Sequence, residues 1–153
     1  MAVEAPLSKF RKNTYIIWVV AMVFFALYCV YDGYFNESFR TKHSDSEGKP
    51  DGTLVFNQKA PPYLIGAAML VGAYLLVIRN RKVLAEENQL IVNDKKKIPY
   101  ESIQKIDKTH FESKGYFIIT YQDESGRCSN YKLGDKNYDN LAAVLELLVA
   151  KIS

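Results

Sequence analysis

Residues Pro61–Ile78, PPYLIGAAMLVGAYLLVI, carry no charged side chain, and Arg79, Asn80, Arg81 and Lys82 follow at once. At the helical rise such a stretch extends about 27 Å, close to the hydrocarbon thickness of a bilayer. It predicts a membrane-crossing helix over 61–78. Pro61 and Pro62 suit its first turn, where missing amide protons cost little, so the helix is expected to open there.

Working toward the N-terminus, Thr14–Tyr31, TYIIWVVAMVFFALYCVY, is a second run without charge. It lacks the polar stripe at 3.6-residue spacing that a buried core helix shows, and it reads as a second span over 14–31. A basic start before an apolar run also describes a signal peptide. This run is long for one, however, and no small-x-small cleavage site follows, so an uncleaved anchor is expected. In Ala26-Leu27-Tyr28-Cys29 the bulky Tyr28 argues against a lipoprotein-type site.

Lys9, Arg11 and Lys12 flank the first span, and Arg79, Arg81 and Lys82 flank the second, as topology anchors. The connection between them is slightly acidic. By the positive-inside rule both termini are expected in the cytoplasm and residues 32–60 outside. Tyr15 and Trp18 suit the inner interface; Tyr28, Tyr31, Tyr34 and Tyr63 suit the outer one. Gly66, Ala68 and Gly72 offer a small-residue face for close helix packing, either within the hairpin or between two copies. Tyr74 needs a partner, which the first helix is placed to supply. Neither run holds an acidic or basic residue, which argues against an ion pathway through this chain alone.

The connection is longer than a minimal turn. Thr41–Gly52 has the composition of a mobile loop, and Thr53–Asn57 reads as a short strand or extended segment. His43 stands alone among solvated residues. Asn36-Glu37-Ser38 matches a glycosylation triplet of a kind frequent by chance.

After Val83 the texture changes to short strands punctuated by turns. Strands are expected at 83–86 and 89–92, around Ile98–Tyr100, within 102–110, at 116–122 and at 127–133, about six in all. In Tyr116–Gln122 alternation puts Phe117, Ile119 and Tyr121 on one face. A helix over 138–152 closes the chain, with Asn137 as its cap and Leu141, Leu145 and Leu148 on its apolar stripe. The fold class is thus a membrane α-helical hairpin plus an α+β soluble domain. Its domains are a 1–13 cytoplasmic N-terminus, the span 14–31, the loop 32–60, the span 61–78 and the domain 79–153.

The net charge of +3 is spread along the chain. Residues 79–153 hold thirteen basic against eleven acidic side chains, which is no concentrated nucleic-acid-binding face. Cys29 and Cys128 cannot form a disulfide framework, and each reads as a small apolar filler.

Gln89-Leu90-Ile91-Val92 followed by Ile98-Pro99-Tyr100-Glu101-Ser102-Ile103, with Ile106 three further on, resembles the bacterial PH-like, membrane-flanked domain family. The resemblance covers about residues 79–153. It implies an antiparallel sheet or partial barrel with a C-terminal helix, in a bacterial inner-membrane protein. It also implies binding or scaffolding rather than catalysis, and supplies no catalytic residue. A full PH-type barrel has seven strands, one more than the sequence count.

Lys95, Lys96 and Lys97 form the sharpest feature of the soluble part. Near an anionic leaflet each adds about 1 kcal/mol of attraction, so contact with lipid headgroups is one expectation. The other is a solvated turn whose lysines protect a sheet edge. His110, between Asp107 and Glu112, reads as a surface histidine. The sequence assigns no catalytic residue, metal or cofactor. Membrane lipids, protein partners in the membrane and a second copy are the expected partners. A protein- or lipid-interaction module and an accessory subunit of a larger complex are the two functions in view.

Overall fold

The computed structural model describes residues 2–152. The chain divides into two compact units, Asn13–Leu76 and the paired segments Met1–Lys12 and Val77–Ser153.

In the helical unit, α1 (Lys9–Val30) runs on through a π-helical turn, Tyr31–Phe35, to a short α2 (Glu37–Lys42) and then α3 (Gly52–Ile78). Counting the π turn with α1, both are 27 residues long and apolar enough to cross a membrane, about 40 Å of helix each. Ile17, Trp18, Phe24, Leu27, Met69 and Leu70 all point outward and are exposed. A water-soluble bundle would bury such side chains.

Two expectations for this unit are corrected. Thr53–Asn57 is helical rather than extended, and Pro61 and Pro62 lie inside α3 rather than at its start. Asp51 begins the helix early, because its Oδ1 accepts the amides of Thr53 and Leu54, each at 2.9 Å, as an N-capping aspartate does. The prolines then remove the amides that would bond the carbonyls of Asn57 and Gln58. The π turn supplies a donor to one of the two and is tied to α3 by a second bond. Tyr34 donates its hydroxyl to the Gln58 carbonyl at 3.0 Å, and Gln58 Nε2 donates to the Gly33 carbonyl at 3.2 Å. Gly33 is buried, and a Cβ there would lie 3.1 Å from the Asn57 backbone.

Close backbone approach therefore occurs at Gly33, and not at Gly66 or Gly72 of α3. A Cβ at Gly66 or Gly72 would meet nothing within 4 Å, while Ala68 is buried. Lower in the hairpin the Tyr74 ring meets Tyr15 edge to face at 5.5 Å.

Among the described residues the sheet unit holds seven strands in two antiparallel sheets. The first has the order β1 (Val3–Pro6), β2 (Lys82–Ala85), β3 (Gln89–Val92), β4 (Lys96–Pro99). The second has the order β5 (Ile103–Asp107), β6 (Tyr116–Gln122), β7 (Cys128–Gly134). A short α4 (Phe111–Lys114) and the C-terminal α5 (Leu141–Ile152) complete it. The strand beyond the sequence count comes from before the helices. Val3 faces Ala85 and Pro6 faces Lys82, so the domain is not confined to 79–153 and residues 3–6 are no free tail. Four residues containing a proline give too weak a local signal to read as a strand; the pairing edge on β2 supplies the rest.

The core gathers Val83, Leu90, Ile98, Phe117, Ile119 and Leu133 from both sheets against Val144 and Leu148 of α5. Burial alternates along β6, with Phe117, Ile119 and Tyr121 inward. Helix α5 starts at Leu141, later than expected. Asn137 is not its cap, since it lies four residues before the helix and its Oδ1 accepts from the Arg11 guanidinium. Cys29 is buried, but Cys128 is exposed rather than a filler, its thiol donating to Gln104 Oε1 at 3.3 Å.

Candidate functional site

Strands β3 and β4 are joined by a tight turn in which Asn93 and Asp94 both have φ of +56°. Two successive left-handed residues in this three-residue connection match the twist of the flanking strands, and Asn and Asp tolerate that conformation best after glycine. The turn therefore delivers Lys95, Lys96 and Lys97 to one lip of a cleft of about 820 Å³. The β6–β7 turn, with Asp123, Glu124 and Ser125, forms the other lip.

The three lysines do not act alike. Lys95 and Lys97 are exposed, whereas Lys96 is half-buried. Its ammonium stands 4.9 Å from the ring centre of Tyr121 and 4.8 Å from that of Tyr131, held by the negative faces of both rings. Lys96 thus ties β4 to β6 and β7, leaving Lys95 and Lys97 as the open cations. Burial, its main cause, pushes the Tyr131 phenol above its usual range.

On the opposite lip Asp123 is consumed by its own turn. Ser125 Oγ donates to its Oδ1 at 2.6 Å, and the amides of Ser125 and Arg127 reach the same oxygen at 2.9 and 3.0 Å. These bonds, the Ser125 hydroxyl first, hold its pKa below the usual carboxylate value. Glu124 remains exposed. The cleft presents ammonium groups on one side and carboxylates on the other, an arrangement that binds charged and polar groups by ion pairing and hydrogen bonding.

The expected topology anchors are partly structural. Arg11 donates a guanidinium hydrogen bond to Asn137 Oδ1, the Lys9 amide bonds Asp139 Oδ2 at 3.0 Å, and Lys82 pairs with Glu4 at 3.1 Å. Lys12 and Arg81 are half-buried, and Arg79 is exposed. The Arg81 carbonyl accepts the Leu7 amide at 2.9 Å.

His43 is not solitary: its Nδ1 lies 2.7 Å from Asp51 Oδ2 and its ring packs on Phe39 at 4.4 Å. Bonds from Leu54 and His43 lower the Asp51 pKa. Asn36 of the glycosylation triplet is engaged on both ends of its amide. Nδ2 donates to the buried Asp32 at 2.8 Å and Oδ1 accepts the Phe39 amide at 3.2 Å. His110 packs on Tyr116 at 5.3 Å.

Sequence reasoning missed two features. One is the carboxylate of Asp32, buried just beyond the 14–31 run and bonded to Asn36; its signal was the amide four residues on, one helical turn away. The other is an apolar groove of about 760 Å³ lined by Phe111, Leu145 and Val149, which only the packing of α5 against the α4 segment creates. Among the described residues no cluster of three metal-ligating side chains occurs. Compared with protein-family models, with curated proteins and with solved structures, the chain matches none.

Proposed function

We propose that this is a two-span protein of a bacterial cytoplasmic membrane, carrying a PH-like domain on the cytoplasmic side as a non-catalytic module for protein or lipid contact. The observation that carries the proposal is the pairing of β1 with β2. Chain before the first helix and chain after the second lie in one sheet, so they share one side of any membrane, and the helices between them cross it an even number of times. Two apolar helices with exposed Phe24, Leu27, Met69 and Leu70 fit two crossings. Seven strands among the described residues, four and three to a sheet, with a helix after the last, are the features the PH-like reading rests on. Lys95 and Lys97 are the cations free to meet an anionic headgroup.

Topology is tested with a membrane-impermeant maleimide on intact cells. A Ser46→Cys variant is expected to label from outside, and the exposed Cys128 only after the cells are opened. Labelling of Cys128 on intact cells would overturn the orientation.

A second reading, an accessory subunit of a larger membrane complex, is favoured by Gly66 and Gly72, whose faces are open to a neighbouring helix. Purification of the tagged protein in gentle detergent separates the two. A stoichiometric set of copurifying membrane subunits would select the accessory role; recovery alone or as a homo-oligomer would select the module.

A further inference from the structure

Strand β1 is the least local element of the sheet unit. Its Glu4 meets Lys82 across 78 positions and the Asn140 side chain across 136. Every other paired strand joins its neighbour in sequence. Contacts across the longest separations close the widest loops and tend to form late.

What residues 3–7 add to the core is small in volume. Ala5 and Leu7 are buried and Val3 is half-buried, whereas the bulk lies in residues such as Phe117, Ile119 and Leu148. Its backbone bonds end on two neighbours, the β2 segment and the 137–140 turn. Beyond its pairing with β2, the Leu7 amide reaches Arg81, the Ser8 amide reaches Asn137, the Asp139 amide returns to Pro6, and the Glu4 carbonyl accepts from Asn140 Nδ2. A segment with few large apolar contacts and bonds confined to two edges opens as a unit at lower cost than the core.

We propose that residues 2–8 form a strap, which docks last on the β2 edge and opens separately from the rest of the domain. Its release leaves a strand-shaped site for an extended peptide with small or medium apolar residues at alternate positions, as in Val3, Ala5 and Leu7. The strap also reaches the first helix. Ser8 is 1% exposed and its Oγ accepts the Arg11 amide at 3.3 Å, so opening removes the cap of α1. The strap stands independently of the membrane assignment.

Amide hydrogen exchange on the full-length protein in mild detergent tests it first. The amides of Leu7, Ser8 and Asp139 are expected to exchange together, about tenfold or more faster than those of Phe117 and Ile119. Exchange of all five at one rate would make β1 an ordinary core strand and overturn the strap. The full chain lacking residues 2–7 supplies the second test, with a synthetic peptide AVEAPL as probe. Phe117 and Ile119 are expected to keep their protection, and the peptide to bind saturably at one per chain and slow Asp139 again. A peptide with Asp at the positions of Ala5 and Leu7 is expected not to bind. Loss of protection at Phe117, or absence of peptide binding, would each overturn the proposal.

Discussion

The Tyr34 hydroxyl donates to the Gln58 carbonyl at 3.0 Å, and that carbonyl has no helical donor because Pro62 stands where one would be. A defect in α3 is thereby matched by a defect in α1, the π turn at Tyr31–Phe35.

Tyr34→Phe keeps the ring and removes the donor. It is expected to destabilise the hairpin by about 0.5–1.5 kcal/mol, the net worth of one hydrogen bond. Gly33→Ala pushes a methyl to 3.1 Å from the Asn57 backbone and is expected to cost roughly 1–3 kcal/mol. Thermal unfolding in one detergent reads both. Wild-type midpoints for the pair would sink the matched-defect account.

Lys96 and its two neighbours should separate by phenotype. Lys96→Gln is expected to lower domain stability by about 1 kcal/mol through the lost ring contacts, with Lys95→Gln and Lys97→Gln within about 0.5 kcal/mol of wild type. In bilayer discs, acetylation of Lys95 and Lys97 should be slower with anionic than with zwitterionic lipid. Equal rates would remove the lipid role; equal stability losses would remove the special place of Lys96.

Tyr100 is buried with its hydroxyl on the Glu86 carbonyl at 2.7 Å. Burial, then the nearby Glu86 charge, pushes its pKa from 10.0 up to about 12. A raised folded pKa means that the unfolded chain loses this proton first as pH climbs. The associated stability is complete below pH 10 and is lost between about pH 10 and 12. Denaturant titrations across that window should show a shallower fall for Tyr100→Phe than for wild type. Identical slopes would show that Tyr100 does not drive the alkaline limb.

Gly115 closes α4 with φ of +68°. A Cβ there would also meet the Asp135 carboxylate, which is exposed and free to swing away. The backbone therefore sets the penalty, and Gly115→Ala is expected to cost about 1 kcal/mol. Gly115→Asn should cost less, because Asn tolerates that conformation. If both variants unfold at the same denaturant concentration, the side-chain clash rather than the backbone governs.

Apolar length, the absence of charge and the flanking lysines and arginines made two long apolar helices legible in the sequence, because a run of eighteen uncharged residues has few other structural uses. Alternation in Tyr116–Gln122 exposed the buried face of β6 for the same local reason. Lys95–Lys97 could be placed on a hairpin turn but not told apart, since the rings that hold Lys96 come from β6 and β7. Helix α3 began early because Asp51 caps it and Tyr34 repairs it, and the repair comes from another helix. Val3–Pro6 reads as a polar tail until β2 returns to it from beyond the hairpin. Local composition fixed what each segment is made to do; pairing across seventy or more residues decided which segments share a sheet, because an unpaired edge selects its partner only once the chain has folded back.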